Sequence, residues 1–465
     1  MPSLESPPPS MPGKEASGGA AIYTVGTLRY GQRELVWLFF WLMWNDFAIM
    51  LIESVNGVGQ FIMRDQGATL MEIALVNSVG FFLPWLNPLV STWSDRHRGR
   101  WGRRRPFLFW AAPPFALFLA AYPYMPTLHH YLLRYPSFAA LEAHLPMNGS
   151  IILLGICQFF MNAFNSVVLA VFSYLYWDVV PESHMGRFQA LSKNVTLLAG
   201  LFSSFFLFNM ADHHMKAVYL GTASFCLVVY MVSVWQIKEG EYPPPDTHRI
   251  GGRLAPVRAY FVECFSESYY LWIFAASLFF QLGNLGGGYQ NFYLHYDLNL
   301  DIGVIGSTRG WATIATLVFG AACGFAVGSM TDRLKPVRLM GPGYLLLGLA
   351  YIVSFYLVRD LRSYLVSFCL VSILQFVIGV VIGAFTVEVF PREKLGQFCS
   401  AQAVFYQFII AVLQPGIGRL FEVLNNYRLG FLWQGGFYLL AAILYLKVWI
   451  NWQRRRGQVP VPHAG

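Results

Sequence analysis

Charged residues are scarce in this 465-residue chain, at 12% against about 25% in a typical soluble protein. This scarcity argues against a soluble enzyme, and a net charge of only +8 gives no support to nucleic-acid binding. The six cysteines form no CxxC pair and no metal-ligand spacing, so we expect reduced thiols and no metal site. No HExxH motif, nucleophile elbow or P-loop is visible, which argues against a membrane-embedded enzyme.

Long apolar runs are what the chain has instead, since 56% of its residues are hydrophobic. A helix needs about 20 apolar residues to cross a bilayer. Twelve runs approach or exceed that length, and they predict an all-α polytopic membrane protein with twelve transmembrane helices. The predicted spans are 35–57, 69–92, 107–124, 150–176, 190–210, 217–236, 270–292, 304–328, 338–357, 363–386, 399–421 and 430–450.

The longest polar break divides these spans into six and six. Residues 1–30 begin with a Pro-, Ser- and Gly-rich stretch that predicts a disordered tail, and no apolar segment follows it closely enough to make a signal peptide. The predicted organisation is therefore a tail, two six-helix halves joined by a linker, and a second tail. The corresponding ranges are 1–30, 31–236, 237–269, 270–450 and 451–465.

Basic residues are distributed unequally across this topology. With twelve spans both termini share one side, and that side carries 24 of the 32 Lys and Arg residues. The positive-inside rule then predicts that both termini are cytoplasmic. We expect a plasma-membrane location, which would be the inner membrane in a bacterium.

Two short patterns occur once in each half. Ser94-Asp95-Arg96 after span two is echoed by Thr331-Asp332-Arg333 after span eight. Asp178-Val-Val-Pro with a following Gly-Arg-Phe, after span four, is echoed by Glu388-Val-Phe-Pro with Gly-Gln-Phe, after span ten. Each recurs six spans later on the same side, which is the parallel repeat of major facilitator transporters.

The loop after span two makes the resemblance more specific. Residues 93–107 read WSDRHRGRWGRRRPF, and their second part is similar to the sucrose–proton symporters and the wider glycoside–pentoside–hexuronide–cation symporter group. The resemblance implies a cytoplasmic charge network that locks the two halves together and breaks when the protein opens inward. Topology signals and lipid-headgroup contacts are the alternative. The predicted network comprises Asp95, Arg96, Arg100, Arg103, Arg104, Arg105, Asp178, Arg187, Asp332, Arg333 and Glu388.

Two carboxylates lie inside span one. Asp46 is near its middle, and Glu53, seven residues later, falls on the same helix face. A carboxylate in a partly dry cavity can bind and release a proton, so we predict Asp46 and then Glu53 as proton-coupling residues. A fixed ion pair with Arg309 or Lys193 is the alternative. Asn87 stands where sodium-coupled relatives carry an acid, which favours a proton over sodium as coupling ion.

Amides and aromatic rings inside the spans predict a site for a polar solute, because sugars need donors, acceptors and a ring to stack on. Hydrogen bonds between helices are the alternative role for the amides, and snorkelling is the alternative for Arg309, which could also bind a carboxylate. The predicted substrate-binding residues are Trp44, Gln158, Asn162, Asn165, Gln281, Asn284, Tyr289, Gln290, Arg309, Gln375, Gln402 and Tyr406.

These features predict a secondary transporter rather than an enzyme. The leading hypothesis is proton-coupled symport of a sugar or glycoside by alternating access. Transport of an organic anion is the alternative within the fold, and a non-transporting membrane sensor is the alternative of another class. We expect a monomer in the bilayer with a small-molecule substrate, no cofactor and no nucleic acid.

Overall fold

The computed structural model describes most of the chain. The described residues are 23–25, 27–83, 90, 93–94, 97, 99, 101–181, 184–240, 262–391 and 395–458.

Helices make up nearly all of the described residues. A short antiparallel hairpin, β1 (Tyr23–Val25) and β2 (Leu28–Tyr30), precedes them. The first half contains α1 (Gln32–Asp65), α2 (Leu70–Gly80), α3 (Arg105–Ala121), α4 (Met125–Leu132), α5 (Pro136–Glu142), α6 (Gly149–Val179), α7 (Met185–Phe202) and α8 (Phe208–Gln236). The second half contains α9 (Ser268–Asn284), α10 (Gly286–Phe292), α11 (Ile302–Leu334), α12 (Pro336–Leu357), α13 (Leu361–Val389), α14 (Leu395–Leu424) and α15 (Leu429–Gln458).

Nine helices in the described part are long and apolar enough to cross a membrane. One of them, Leu191–Gln236, contains two of the twelve predicted spans, and non-helical backbone at His214 kinks it between them. Two other predicted spans correspond to shorter helices, α2 and α9, of 11 and 17 residues. The described residues of the twelve apolar runs are mostly helical, residues 84–89 and 91–92 of the second run lie outside the described residues, and the exact count of twelve spans stays a prediction.

Two predicted boundaries are wrong. The hairpin of β1 and β2 lies within the tail that was expected to be disordered, and Tyr23 contacts the His184 ring edge-on at 4.6 Å. The C-terminal tail was expected from 451, but α15 continues to Gln458. Both segments gain contacts or hydrogen bonds that their polar composition did not indicate. Residues 1–22, residues 241–261 of the linker and residues 459–465 lie outside the described residues.

The two halves contact each other through repeat-related helices. Within the first half α3 packs on α6 and α8, and within the second half α12 packs on α13 and α15. Between the halves α2 packs on α14, and α11 packs on α7 and α8. The predicted repeat pairs α11 with α2 and α14 with α7, and on that prediction the two interfaces would correspond to each other.

Candidate functional site

The two halves meet most closely near one end of the helices. We call the end opposite the Arg-rich loop 93–105 the outer end. There α11 carries three glycines on one face, Gly303, Gly306 and Gly310, pressed against residues 204–212 of the first half. A Cβ atom at Gly306 would lie 2.3 Å from the Cβ atom of Phe208, so the backbones approach as closely as they do only because these side chains are absent. The contact of α11 with residues 204–212 is called the glycine seam below.

A carboxylate of the first half stabilises the glycine seam by accepting hydrogen bonds from the second half. Asp212 of α8 accepts hydrogen bonds from the backbone N–H groups of Ile302 and Gly303, at 2.9 and 2.6 Å. These groups begin α11, where backbone donors have no partner within the helix and the helix dipole favours a negative charge. Asp212 of one half therefore caps a helix of the other.

Residues at the C-terminal end of α1 add further contacts between the two halves at the outer end. The Arg64 Nη2 atom donates to the Tyr427 hydroxyl at 2.9 Å, and the Phe61 ring lies 5.7 Å from the Phe292 ring and 5.0 Å from the His295 ring. His295 belongs to a π-helical segment, Tyr293–Asp297, and a second π-helical segment, Ser203–Leu207, contributes to the glycine seam. Such segments are rare and occur often at functional sites.

Below this closure lies a cavity of about 180 Å³ between the halves. Its polar lining is mainly amide: Gln60 and Asn77 come from the first half, and Asn284 and Gln414 from the second. Tyr289 also lines it, stacked on Phe421 at a ring distance of 3.7 Å. The cavity therefore offers both hydrogen-bond donors and acceptors and no formal charge of its own.

Asp46 is buried in the first half, 14 residues before the cavity-lining Gln60 on α1, with 9% of its surface exposed. The Tyr176 hydroxyl donates to its Oδ1 atom at 3.3 Å, and Asn45 donates to the same hydroxyl at 2.5 Å. The Oδ2 atom has no hydrogen-bond partner among the described residues. Asp46 is thus surrounded by neutral hydroxyl and amide groups, since the Ser192 side chain also lies beside the carboxylate.

Glu53 on α1 and Lys193 on α7 are the two other charged groups considered with Asp46. Both are exposed although each lies well inside a helix, and Lys193 is the cation nearest to both Asp46 and Glu53. Within the described part, however, no ion pair shorter than 4.0 Å joins Lys193 to either carboxylate. The fixed pair considered from the sequence is therefore not formed in this arrangement.

Arg309 has neutral partners as well. Its Nε atom donates to the Tyr364 hydroxyl at 3.0 Å, and its Nη2 atom donates to the Asn291 Oδ1 atom. The guanidinium carbon lies 5.4 Å from the centre of the Phe368 ring. Arg309 lines a second, smaller cavity of about 30 Å³ with Gly57 of α1.

The remaining amides mostly bond other side chains between helices. In the first half Gln158 donates to Asn77 at 2.8 Å, Asn162 lies beside Gly80, and the Oδ1 atom of Asn165 is buried without a partner in the described residues.

In the second half one hydrogen-bond network links α9, α10 and α15, and the other predicted polar residues make single contacts. The network joins Gln281 to Asn284, Asn284 to Tyr438, Tyr438 to Gln434 and Gln434 to Gln290. The single contacts join Gln402 to Ser277, Gln375 to Tyr351 and Tyr406 to Gln281.

Trp44 lies elsewhere. Its ring contacts Phe40, Phe47 and Phe225, each at 5.9 Å between centroids, in a cluster between α1 and α8. Its predicted role as a stacking surface for a substrate stays a prediction.

The Arg-rich loop forms a charge network inside the first half. Arg103 and Arg104 both contact the Asp178 carboxylate, at 2.5 and 3.2 Å, and Arg104 is only 4% exposed. The backbone N–H groups of Arg103, Arg104 and Arg105 all donate to the Glu239 carboxylate, at 2.7 to 3.0 Å. The described contacts of these arginines tie α3, α6 and the end of α8 together, rather than one half to the other.

The other predicted members of this network are described only in part. Asp95, Arg96 and Arg100 lie outside the described residues, as do the side chains of Arg187 and Asp332. Arg333 is exposed, and Glu388 is half-buried near Tyr269.

Sequence reasoning missed Tyr176, Asp212 and Glu239. Tyr176 stands two residues before Asp178, so the second repeated pattern was the signal that could have found it. Asp212 and Glu239 belong to no pattern, since each acts on backbone groups at the start of a distant helix.

The comparisons with known proteins agree with this architecture. Residues 284–463 match the family model of the Major Facilitator Superfamily. No curated protein sequence matches the chain significantly.

Solved transporters share the fold over nearly the whole chain. A bacterial homologue of the iron transporter ferroportin, in an inward-facing state, is 13% identical over 90% of this chain and 98% of that one, with a TM-score of 0.65. A bacterial homologue of the human lysosomal transporter Spinster, also inward-facing, is 12% identical over 91% and 99%, with a TM-score of 0.66. A POT family transporter in complex with a thioalcohol-conjugated peptide is 15% identical over 91% and 96%, with a TM-score of 0.65. The chain therefore has the major facilitator fold of a multi-pass membrane protein.

Proposed function

We propose that this protein is a secondary transporter of the plasma membrane, working as a monomer, that carries a sugar or glycoside together with protons by alternating access. The observation that carries the proposal is the cavity between the halves. It is lined by amides from both halves, and its lining residue Phe292 contacts Phe61 across the halves at 5.7 Å between ring centroids. A site at the interface of two repeats is where major facilitator proteins bind their substrates.

The amide lining favours a hydroxyl-rich solute. Gln60, Asn77, Asn284 and Gln414 can each donate and accept, which matches the hydroxyl groups of a sugar. Because these side chains come from α1, α2, α9 and α14, a bound sugar would bridge the two halves. Its binding would favour states in which the halves are close.

Asp46 is the proposed coupling group. It lies deep in α1, it is held by the neutral Tyr176 hydroxyl, and its Oδ2 atom is without a partner in the described residues. The Tyr176 hydroxyl orients the carboxylate, and the exposed Lys193 of α7 is a cation in its surroundings. A proton taken up by Asp46 would remove the attraction to Lys193 and so change the contact between α1 and α7.

Proton-driven uptake into proteoliposomes tests the coupling. After a thermal-shift screen of mono- and disaccharides has identified a binder, which stabilises the protein by mass action, wild type and Asp46→Asn are compared. We expect the variant to lose accumulation driven by an imposed pH gradient and to keep substrate exchange, because Asn cannot take up a proton.

Asp301→Asn is the matched control. Asp301 is an exposed carboxylate at the start of α11, and its side chain makes no capping hydrogen bond. This variant should accumulate substrate as wild type does. Undiminished accumulation by Asp46→Asn would eliminate Asp46 as the coupling group, and the absence of uptake of any sugar by wild type would remove the sugar proposal.

A further inference from the structure

We propose that Arg309 binds a carboxylate of the transported solute, so that the sugar or glycoside of the proposed function is one that carries an acid group. This inference rests on the proposed transport function and narrows its substrate class. The juxtaposition that carries it is a half-buried guanidinium with no counter-ion among the described residues, at a small cavity that the Phe61–Phe292 ring contact separates from the amide-lined cavity.

The first argument is the set of partners that Arg309 has. A guanidinium has five N–H donors. One is used by the Tyr364 hydroxyl and one by the Asn291 Oδ1 atom, and Phe368 covers the guanidinium plane. The Nη1 atom has no hydrogen-bond partner among the described residues. Three donors therefore remain for a ligand, and two N–H groups in a fixed fork match the two oxygens of a carboxylate.

The second argument is the cost of the charge. An arginine within a membrane-spanning helix is expensive unless it is paired or faces a cavity. Arg309 lies in α11, which is one of the apolar candidate spans, and in the described part of the chain no carboxylate lies within 4.0 Å of it. Tyr364 and Asn291 orient the guanidinium but leave its charge uncompensated. An anionic ligand would compensate it.

The third argument is position. The small cavity beside Arg309 is lined by Gly57 and Phe61 of α1 and by Asn291 of α10. The larger, amide-lined cavity is lined by Gln60 of α1 and Phe292 of α10, the direct neighbours of Phe61 and Asn291. One solute could therefore place hydroxyl groups among the amides and its carboxylate at Arg309.

These features also argue against snorkelling. A snorkelling arginine extends its charged group towards the headgroups. The Arg309 guanidinium instead contacts side chains of α10 and α13 within the second half.

Thermal-shift titrations with matched solutes test the inference. The probes are sodium gluconate against sorbitol, and sodium glucuronate against glucose, with NaCl added to equalise ionic strength. Each pair differs mainly in one terminal carboxylate. We expect the purified wild type to be stabilised by at least one acid at concentrations about 10-fold or more below those required for its neutral partner, since charged hydrogen bonds contribute strongly to affinity.

Arg309→Gln should abolish this preference for the acid, and Arg309→Lys should keep part of it, because lysine retains the charge without the fork. Arg419→Gln is the control, since Arg419 is an exposed arginine that pairs with Glu422 at 3.0 Å. It should titrate as wild type does. If Arg309→Gln does not fold, wild type and Arg309→Lys still give the comparison.

The outcomes separate the two proposals. The carboxylate site is overturned if the neutral solutes stabilise wild type as well as or better than the acids, and if Arg309→Gln or Arg309→Lys does not change this. That outcome leaves the proposal of sugar transport intact. Stabilisation by no acid likewise overturns it. If acids and sugars are all without effect on wild type, both proposals fail.

Discussion

Two carboxylates of the first half, one towards each end of its helices, stabilise the structure. Each accepts hydrogen bonds from backbone N–H groups. Glu239 accepts from the first residues of α3, and Asp212 from the first residues of α11. Each neutralises the positive end of a helix dipole and satisfies donors that the helix itself cannot. By contrast, the ion pair of Arg455 with Glu267 has both side chains about half exposed, so solvent screens it.

Replacing Glu239 and replacing Glu267 should therefore lower the free energy of unfolding by unequal amounts. We expect Glu239→Ala to lower the free energy of unfolding by about 1–2 kcal/mol, because three backbone donors at the start of α3 lose their acceptor. The matched change Glu267→Ala should cost less than about 1 kcal/mol. Thermal unfolding of the two variants in the same detergent measures the difference. Equal losses would show that Glu239 is no more than a surface charge.

At the scale of elements, α11 makes two different kinds of contact along its length. Near its start Gly303, Gly306 and Gly310 allow close approach to the other half, whereas a Cβ atom at Gly328, near its other end, would meet nothing within 4 Å. The seam therefore occupies the first turns of the helix. Together with the π-helical segment Ser203–Leu207, it forms the contact that must separate for the outer end to open.

Two identical substitutions on α11 test the seam. Gly306→Ala should force α8 and α11 apart and destabilise this conformation by about 1–3 kcal/mol, because the added methyl group would overlap Phe208. Gly328→Ala should be neutral or stabilise by up to about 1 kcal/mol, since alanine favours helix. Thermal stability and the accessibility of the outer end to thiol reagents measure both effects. Equal behaviour of the two variants would contradict a close-packed seam.

At the scale of the whole molecule, contacts between the halves are concentrated on one side of the membrane centre. The cross-half hydrogen bonds and ring contacts of the described residues lie between that centre and the outer end, as with Arg64 and Tyr427 or Phe205 and Trp311. Glu53, Asn56 and Lys193, deeper in the helices, are exposed. We therefore expect the space between the halves to be accessible from the side of the Arg-rich loop, where residues 84–89 and 392–394 lie outside the described residues.

Cysteine labelling in vesicles of known orientation tests this accessibility. In a background without the six native cysteines, Asn56→Cys should react with a membrane-impermeant thiol reagent from the side of the Arg-rich loop and not from the other side. Asn45→Cys, the same change on the same helix at a fully buried position, should react from neither. Labelling of Asn56→Cys from the outer side alone would contradict the expected access from the side of the Arg-rich loop.

The sequence alone was enough to predict the helices and much of the chemistry. A bilayer requires long apolar helices, so the local composition of the chain predicts the positions of the spans. The rarity of charge inside the spans singled out Asp46, Glu53 and Arg309, because such residues are too costly to be incidental. The repeated pattern at Asp178 identified a carboxylate that does bind the Arg-rich loop.

Only the tertiary structure decided which groups are partners. Tyr176 reaches Asp46 across 130 positions of the chain, Glu239 reaches Arg104 across 135, and Asp212 reaches Ile302 across 90. Such pairs leave no local periodicity, and a carboxylate that binds backbone N–H groups requires no particular residue opposite it. The sequence thus predicted where the long apolar helices lie and which rare charges lie within them. The packing of the helices decided which end is closed. It also decided that the described partners of Arg309 are neutral and leave N–H donors of its guanidinium unused.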